Sequence, residues 1–222
     1  MNYETARYHM IEQQLRTAEV LSQDVVAQLY ADRRENYVPA AYRALAFADI
    51  AIPLGGEAAM LTPKLEARLL QAAGLQGGER VLEIGTGSGH LAALLAERAA
   101  HVWTVEIDPA LAARARANLA NDGVDNVTVE TGDGLAVASP AAAQAPFDLI
   151  VVSGGVTEIP DALVAQLKDG GRLFAFVAPA ATAPMMVLRR LTRRQADAVA
   201  SEDLLETGVP MLRQSATPRF AF

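Results

Sequence analysis

Val81-Leu82-Glu83-Ile84-Gly85-Thr86-Gly87-Ser88-Gly89 is the stretch on which the reading of this chain turns. Apolar, partly β-branched residues lead up to Ile84, glycines follow at every second position, and an alanine- and leucine-rich segment begins after His90. The pattern is strand, tight turn, helix. At such a junction the backbone reverses sharply and a ligand approaches it closely, and both requirements favour glycine.

Downstream the pattern repeats. Strands are expected at Arg80–Ile84, Val102–Ile107, Val127–Glu130, Leu149–Val152 and Arg172–Val177, with helices at Gly89–Ala99, Pro109–Asn121 and Pro160–Lys168 between them. Strands alternating with helices imply right-handed βαβ units and a parallel sheet covered on both faces. Met186–Leu191 and Leu204–Leu212 are expected to add antiparallel edge strands, with Pro210 suited to an edge or a strand end. The fold class is therefore α/β, a doubly wound, mostly parallel seven-stranded sheet with extra N-terminal helices. Upstream, Tyr8, Ile11, Leu15 and Ala18 fall at helical spacing, and further helices are expected at Asp24–Asp32, with Ser22 as cap, and at Pro63–Ala73 before Gly74. The whole reads as one domain. Residues 1–74 form an N-terminal helical segment, 75–180 the cofactor-binding core and 181–222 the edge strands.

Composition bounds the function. The 222 residues are 51% apolar and carry a formal net charge of −7, enough for a buried core and unlike a nucleic-acid binder. The local group Arg189, Arg190, Arg193 and Arg194 has no interleaved aromatic residue and reads as a solvated edge or turn rather than a phosphate-binding patch. There is no cysteine, so disulfides and thiolate chemistry are excluded. His9, His90 and His101 are scattered, and no metal site is expected; His90 reads as a capping or surface residue. The N-terminus shows no signal-sequence pattern and no apolar run suffices for a membrane span, so the expected location is the cytoplasm.

The glycine spacing is G-x-G-x-G, with His90 where a dinucleotide fingerprint carries its third glycine. Glu83, two residues before Gly85, would repel a pyrophosphate but suits the ammonium and sulfonium charges of S-adenosylmethionine. Two more acids sharpen this expectation. Glu106 ends the second strand, 23 residues after Glu83, where a carboxylate can accept from ribose hydroxyls. Asp133, within Gly132-Asp133-Gly134 at the third strand's end, can accept from an adenine amino group. The expected cofactor site is thus Glu83, Gly85, Thr86, Gly87, Ser88, Gly89, Glu106, Ile107, Gly132, Asp133 and Gly134. Asp108, directly before Pro109, reads as a helix N-cap.

The chain resembles the protein-L-isoaspartate O-methyltransferases over nearly its whole length. The resemblance is carried by Met10-Ile11-Glu12-Gln13-Gln14-Leu15-Arg16, by Tyr37-Val38-Pro39 with Tyr42 and Phe47-Ala48-Asp49, and by Ile52-Pro53-Leu54-Gly55. It continues through Glu83 to Gly89, Gly132-Asp133-Gly134, Pro146-Phe147-Asp148, Ile159-Pro160, Gln166 to Arg172 and Val209-Pro210-Met211. It implies a methyltransferase fold, S-adenosylmethionine as donor and isoaspartyl residues of damaged proteins as acceptors. One segment departs. Where the family carries Thr-Ile-Ser-Gln-Pro, this chain reads Ala59-Met60-Leu61-Thr62-Pro63, so Leu61 stands at the position of the reaction-centre serine. Gly154-Gly155 and Phe176-Val177-Ala178 are milder departures. Leu61 and Thr62 are expected near the acceptor, but no catalytic residue is assigned. Three functions remain open: isoaspartyl methylation, methylation of another small-molecule or protein acceptor, and binding of the nucleoside without chemistry. Neither nucleic acid nor membrane is expected as a partner.

Overall fold

The computed structural model describes residues 2–136, 139–195 and 198–214. The N-terminal part contains helices α1 (Tyr3–His9) and α2 (Gln23–Ala31), then a hairpin of β1 (Ile52–Gly55) and β2 (Ala58–Met60), then α3 (Pro63–Ala73). The core follows with β3 (Glu79–Ile84), α4 (His90–Ala96), β4 (Ala99–Glu106), α5 (Pro109–Asn121), β5 (Val127–Thr131) and β6 (Phe147–Val156). The short α6 (Asp161–Val164) precedes β7 (Leu167–Val177), β8 (Met186–Arg193) and β9 (Val199–Thr207).

Seven strands form one sheet in the order β5-β4-β3-β6-β7-β8-β9. The first five are parallel, and β8 and β9 are antiparallel to their neighbours. The chain leaves β3 in one direction, through β4 to β5, and returns on the other side with β6 and β7. The switch point therefore lies between β3 and β6, where open α/β sheets leave a crevice at the carboxyl ends of the strands.

One sheet face, with Val81, Val102, Leu149, Phe174 and Phe176, packs in a common core with α3, α4, α5 and the N-terminal segment. Phe174 and Phe176 are fully buried, each stabilising the fold by about 1.5–3 kcal/mol relative to exposure. The other face, with Leu82, Ile84, Val105, Ile150 and Val152, is covered by less helix than expected. The expected helix Pro160–Lys168 shrinks to the four residues of α6, because Leu167 onward is drawn into β7. A 3-10 turn, Pro140–Gln144, fills the space before β6.

Local signals explain most boundaries. Thr62 caps α3, its hydroxyl accepting from the Leu65 N–H at 3.2 Å, and Gly74 ends the helix in the left-handed region. Asp108 caps α5 by accepting from Ala110 and Leu111, with Pro109 in the first turn. Ser22 behaves otherwise. Its side chain makes no cap bond, and the Gln71 carboxamide of α3 accepts from the Leu21 and Ser22 N–H groups instead.

Three further elements differ from expectation. The segment before residue 75 is not wholly helical, since the β1–β2 hairpin interrupts it. Helix α1 runs into a π-helical turn, Met10–Leu15, which turns Ile11 and Leu15 inward and leaves Tyr8 exposed. The last strand is not Leu204–Leu212 but Val199–Thr207. Beyond it the chain leaves the edge and returns to the tip of β6, where Met211 bridges Gly155. Met1 of the N-terminal segment and the end of the C-terminal segment, 215–222, lie outside the described residues.

Arg189, Arg190 and Arg193 lie on β8, one strand in from the sheet edge. Arg189 pairs with Asp203 at 2.6 Å and Arg190 with Glu202, both across the β8–β9 ladder. Arg193 donates to the Ala165 and Leu167 carbonyls.

Candidate active site

A crevice of about 750 Å³, counting its open mouth, lies over the tips of β3, β4 and β6. Its floor is the turn after β3. Gly85 has φ +99°, and a Cβ there would come within 2.7 Å of Ser153 Oγ and 2.9 Å of Leu212 Cδ2. The turn is tied down from β6, where the Ser153 hydroxyl lies 2.9 Å from the Ile84 carbonyl and 2.6 Å from that of Gly85.

Seven of the expected cofactor residues line this crevice: Glu83, Gly85, Thr86, Gly87, Ser88, Glu106 and Ile107. Gly89 lies behind them as the N-cap of α4, packed against Ala115 of α5. Glu83 and Thr104 are register partners on β3 and β4, and the Thr104 hydroxyl donates to Glu83 Oε2 at 2.6 Å. Thr86 Oγ1 continues the chain at 2.6 Å from Thr104 Oγ1. The second Glu83 oxygen, Oε1, is buried with no hydrogen-bond partner. Burial, with nearby Glu106 and Glu66 adding to it, pushes the Glu83 carboxyl up to about 8. An orphaned acceptor on a crevice wall fits a cationic group.

Glu106 turns its carboxylate inward, with Oε2 accepting from the Gly87 N–H at 2.8 Å and Oε1 from the Asp108 N–H at 3.0 Å. A carboxylate accepts about four hydrogen bonds, so capacity remains for two hydroxyls.

Gly132, Asp133 and Gly134 follow β5 beside the crevice and are not part of its lining. Asp133 Oδ1 accepts from the Leu135 N–H at 2.9 Å. Gly134 has a packing reason of its own: a Cβ there would lie 2.6 Å from Ile84 and 3.3 Å from Val105.

Of the opposite wall the sequence offered Leu61 alone. It consists of the β1–β2 hairpin with Leu54, Ala58, Ala59, Met60 and Leu61, and of the returning segment Pro210–Arg213. Gly155 N–H donates to the Pro210 carbonyl and Leu212 N–H to the Gly155 carbonyl, both at 2.8 Å, while Arg213 pairs with Asp108 at 3.0 Å. Leu61 lines the crevice and is nearly buried. Thr62 does not line it, because its hydroxyl is committed to the α3 cap. His90 is neither a cap nor a surface residue. It is buried between Asp32 and Glu66, with Arg34 beside it. Glu66 carried a sequence signal, since it falls on the stripe of α3 that buries Leu69, Leu70 and Ala73. Asp32 and Arg34 carried none, because loops and chain reversals bring them in.

Among the described residues, no group of three or more His, Cys, Asp or Glu could hold a metal, and no helix is long and apolar enough to cross a membrane.

A mostly parallel seven-stranded sheet with this glycine turn at its switch point is a methyltransferase architecture, and the chain is an S-adenosylmethionine-dependent methyltransferase. It belongs to the protein-L-isoaspartate(D-aspartate) O-methyltransferase family, whose model matches residues 5–212. A protein-L-isoaspartate O-methyltransferase of Anaeromyxobacter dehalogenans (strain 2CP-C) is 45% identical over 184 residues, 82% of this chain and 84% of its own length. Protein-L-isoaspartate O-methyltransferase 1 of Rhodopseudomonas palustris (strain HaA2) is 39% identical over 212 residues, 95% of this chain and 84% of its own. A solved protein-L-isoaspartate O-methyltransferase superposes with TM-score 0.77 at 25% identity, over 95% of this chain and 65% of that one. A Plasmodium falciparum structure holding S-adenosyl-L-homocysteine shares the fold, with TM-score 0.80 at 18% identity over 97% of this chain and 100% of that one.

Proposed function

We propose that the crevice binds S-adenosylmethionine along the tips of β3 and β4, with its adenine end towards β5, and that the chain methylates the free carboxylate of isoaspartyl residues in damaged proteins. The observation that carries the cofactor placement is the buried, unpartnered Oε1 of Glu83 on the crevice wall, beside the glycine turn. In this reading Glu83 faces the ammonium end, the backbone of Gly85 to Ser88 follows the amino-acid part, and Glu106 accepts from the ribose hydroxyls. Gly132, Asp133 and Gly134 stand beyond Ile107, on the adenine side. The substrate follows from family membership and from relatives that match most of their own length. The expected setting is the cytoplasm.

The bound sulfonium supplies an already activated methyl group. The acceptor, with a pKa of about 4, is ionised at neutral pH, so this chain needs no general base. Its residues instead orient the two reactants and exclude water. Leu61, Met60 and Leu54 make the acceptor wall apolar, and Pro210–Arg213 closes the crevice from the side of β6.

The test is transfer of labelled methyl from S-adenosylmethionine to an isoaspartyl peptide. A base-labile methyl ester above the level of the matched aspartyl peptide is expected. Its absence, with cofactor binding demonstrated, would refute the substrate.

One observation favours a second reading, a less polar acceptor. Leu61 offers no hydroxyl, and a hydrogen bond lost at the reacting group costs about 1–3 kcal/mol where it leaves a partner unpaired. If the family's acceptor is retained, Leu61→Ser is expected to raise kcat/KM for the peptide, by up to about tenfold. An unchanged or lower value would show that the wall is adapted as it stands.

A further inference from the structure

Behind the Leu61 wall lies a buried cluster of four ionisable side chains with no part in cofactor binding as proposed. His90 opens α4, Glu66 sits on α3, Asp32 follows α2, and Arg34 starts the next 3-10 turn. Arg34, Glu66 and His90 are each no more than 3% exposed. His90 Nε2 lies 3.0 and 3.1 Å from the two Asp32 oxygens, and Nδ1 lies 3.0 Å from the Glu66 carboxylate. Arg34 Nη1 pairs with Glu66 Oε2 and lies 3.1 Å from His90 Nδ1.

A neutral imidazole has one N–H and one lone pair, so it can donate to only one of two flanking carboxylates. Here both ring nitrogens face carboxylates. Arg34 is the opposing influence, a cation close to Nδ1. The charge balance decides between them. Asp32 and Glu66 bring two negative charges and Arg34 one positive, so a protonated His90 leaves the buried cluster neutral, whereas a neutral ring leaves an uncompensated buried charge. Two other ionisable groups on neighbouring elements face or adjoin the ring. Tyr37 packs edge-on at 5.2 Å, with its hydroxyl turned to Asp122, and Glu83 on β3, once ionised, also favours a cation.

The cluster reaches the acceptor wall. Arg34 Nη2 donates to the Leu61 carbonyl at 2.7 Å and Nε to the Ala46 carbonyl at 2.9 Å, and Glu66 itself lines the crevice.

We propose that His90 is a positioning residue: as an imidazolium it holds Glu66, and through Glu66 and Arg34 it fixes the Leu61 backbone that forms the acceptor wall. This rests on reading Leu61 as part of that wall. Burial alone lowers the ring's pKa, but the Glu66 and Asp32 carboxylates outweigh it and raise the pKa to about 9. The wall is therefore set at neutral pH and relaxes in alkali.

The test is NMR of the full-length wild-type protein, following the His90 ring nitrogens and the Leu61 methyl groups across a pH titration. The ring is expected to be doubly protonated at neutral pH, to titrate near pH 9 and to move the Leu61 methyl resonances with the same midpoint. In Glu66→Gln the ring's midpoint falls. With an isoaspartyl peptide, the alkaline loss of kcat/KM follows that midpoint through KM, and His90→Gln raises KM about tenfold at neutral pH while kcat changes less. A ring that titrates at or below the ordinary histidine value, or Leu61 resonances that stay flat through its titration, would overturn the proposal. If the peptide is not a substrate, the substrate reading fails while the two resonances still decide this one.

Discussion

Glu83 is the single side chain on which the proposed cofactor placement turns. Its carboxyl is buried on β3, one oxygen is bonded to Thr104 and the other has no partner. Because its folded pKa is raised from 4.5 to about 8, the protonated form is favoured in the folded chain. The stabilisation this gives is complete below the ordinary carboxyl pKa and is lost as pH rises through about 8. Glu83→Gln is therefore expected to melt higher than wild type above pH 8, by roughly 2–4 °C for each kcal/mol of relieved charge burial, with the gap closing towards pH 4. Binding should run the other way. At neutral pH, calorimetry in buffers of different ionisation enthalpy is expected to show up to about one proton released when wild type takes up S-adenosylmethionine. The variant should release less and bind at least about tenfold more weakly. Equal proton release by both proteins would remove Glu83 from the cationic end of the site.

At the scale of elements, α3 carries two functions on one helix. Its N-cap, Thr62, follows directly on Leu61, and its buried stripe delivers Glu66 to the crevice. Thr62→Ala removes the cap and is expected to cost about 1 kcal/mol of stability, read from denaturant midpoints, with the affinity for S-adenosylmethionine unchanged. A large loss of turnover at full folding would instead give Thr62 a direct role at the acceptor. The β1–β2 hairpin was missed in the sequence for a physical reason. Its strands have only 4 and 3 residues, and Pro53 and Gly55 within them read as loop signals. The returning segment was placed in the wrong element for a related reason. Val209-Pro210-Met211 has strand-like residues, but its one ladder contact is with Gly155 rather than with β8.

For the molecule as a whole, what was legible was whatever is encoded locally. Strands β3 to β7 and their order of appearance, the turn at Gly85, the Asp108 cap and the acids at the strand tips are each marked by neighbours in sequence. What was not legible depends on long-range closure. Ser153 reaches the turn from β6, Arg34 and Asp32 meet His90 from another segment, and Pro210–Arg213 folds back over the tip of the sheet from beyond β9. All of these parts converge on the crevice at the β3–β6 switch point, proposed to wrap a sulfur nucleoside. The most direct test is a crystal structure with S-adenosyl-L-homocysteine. The amino-acid end is expected beside Glu83 and the Gly85 turn, with the ribose hydroxyls on Glu106. Density for the nucleoside elsewhere, or a ribose held without Glu106, would contradict that placement.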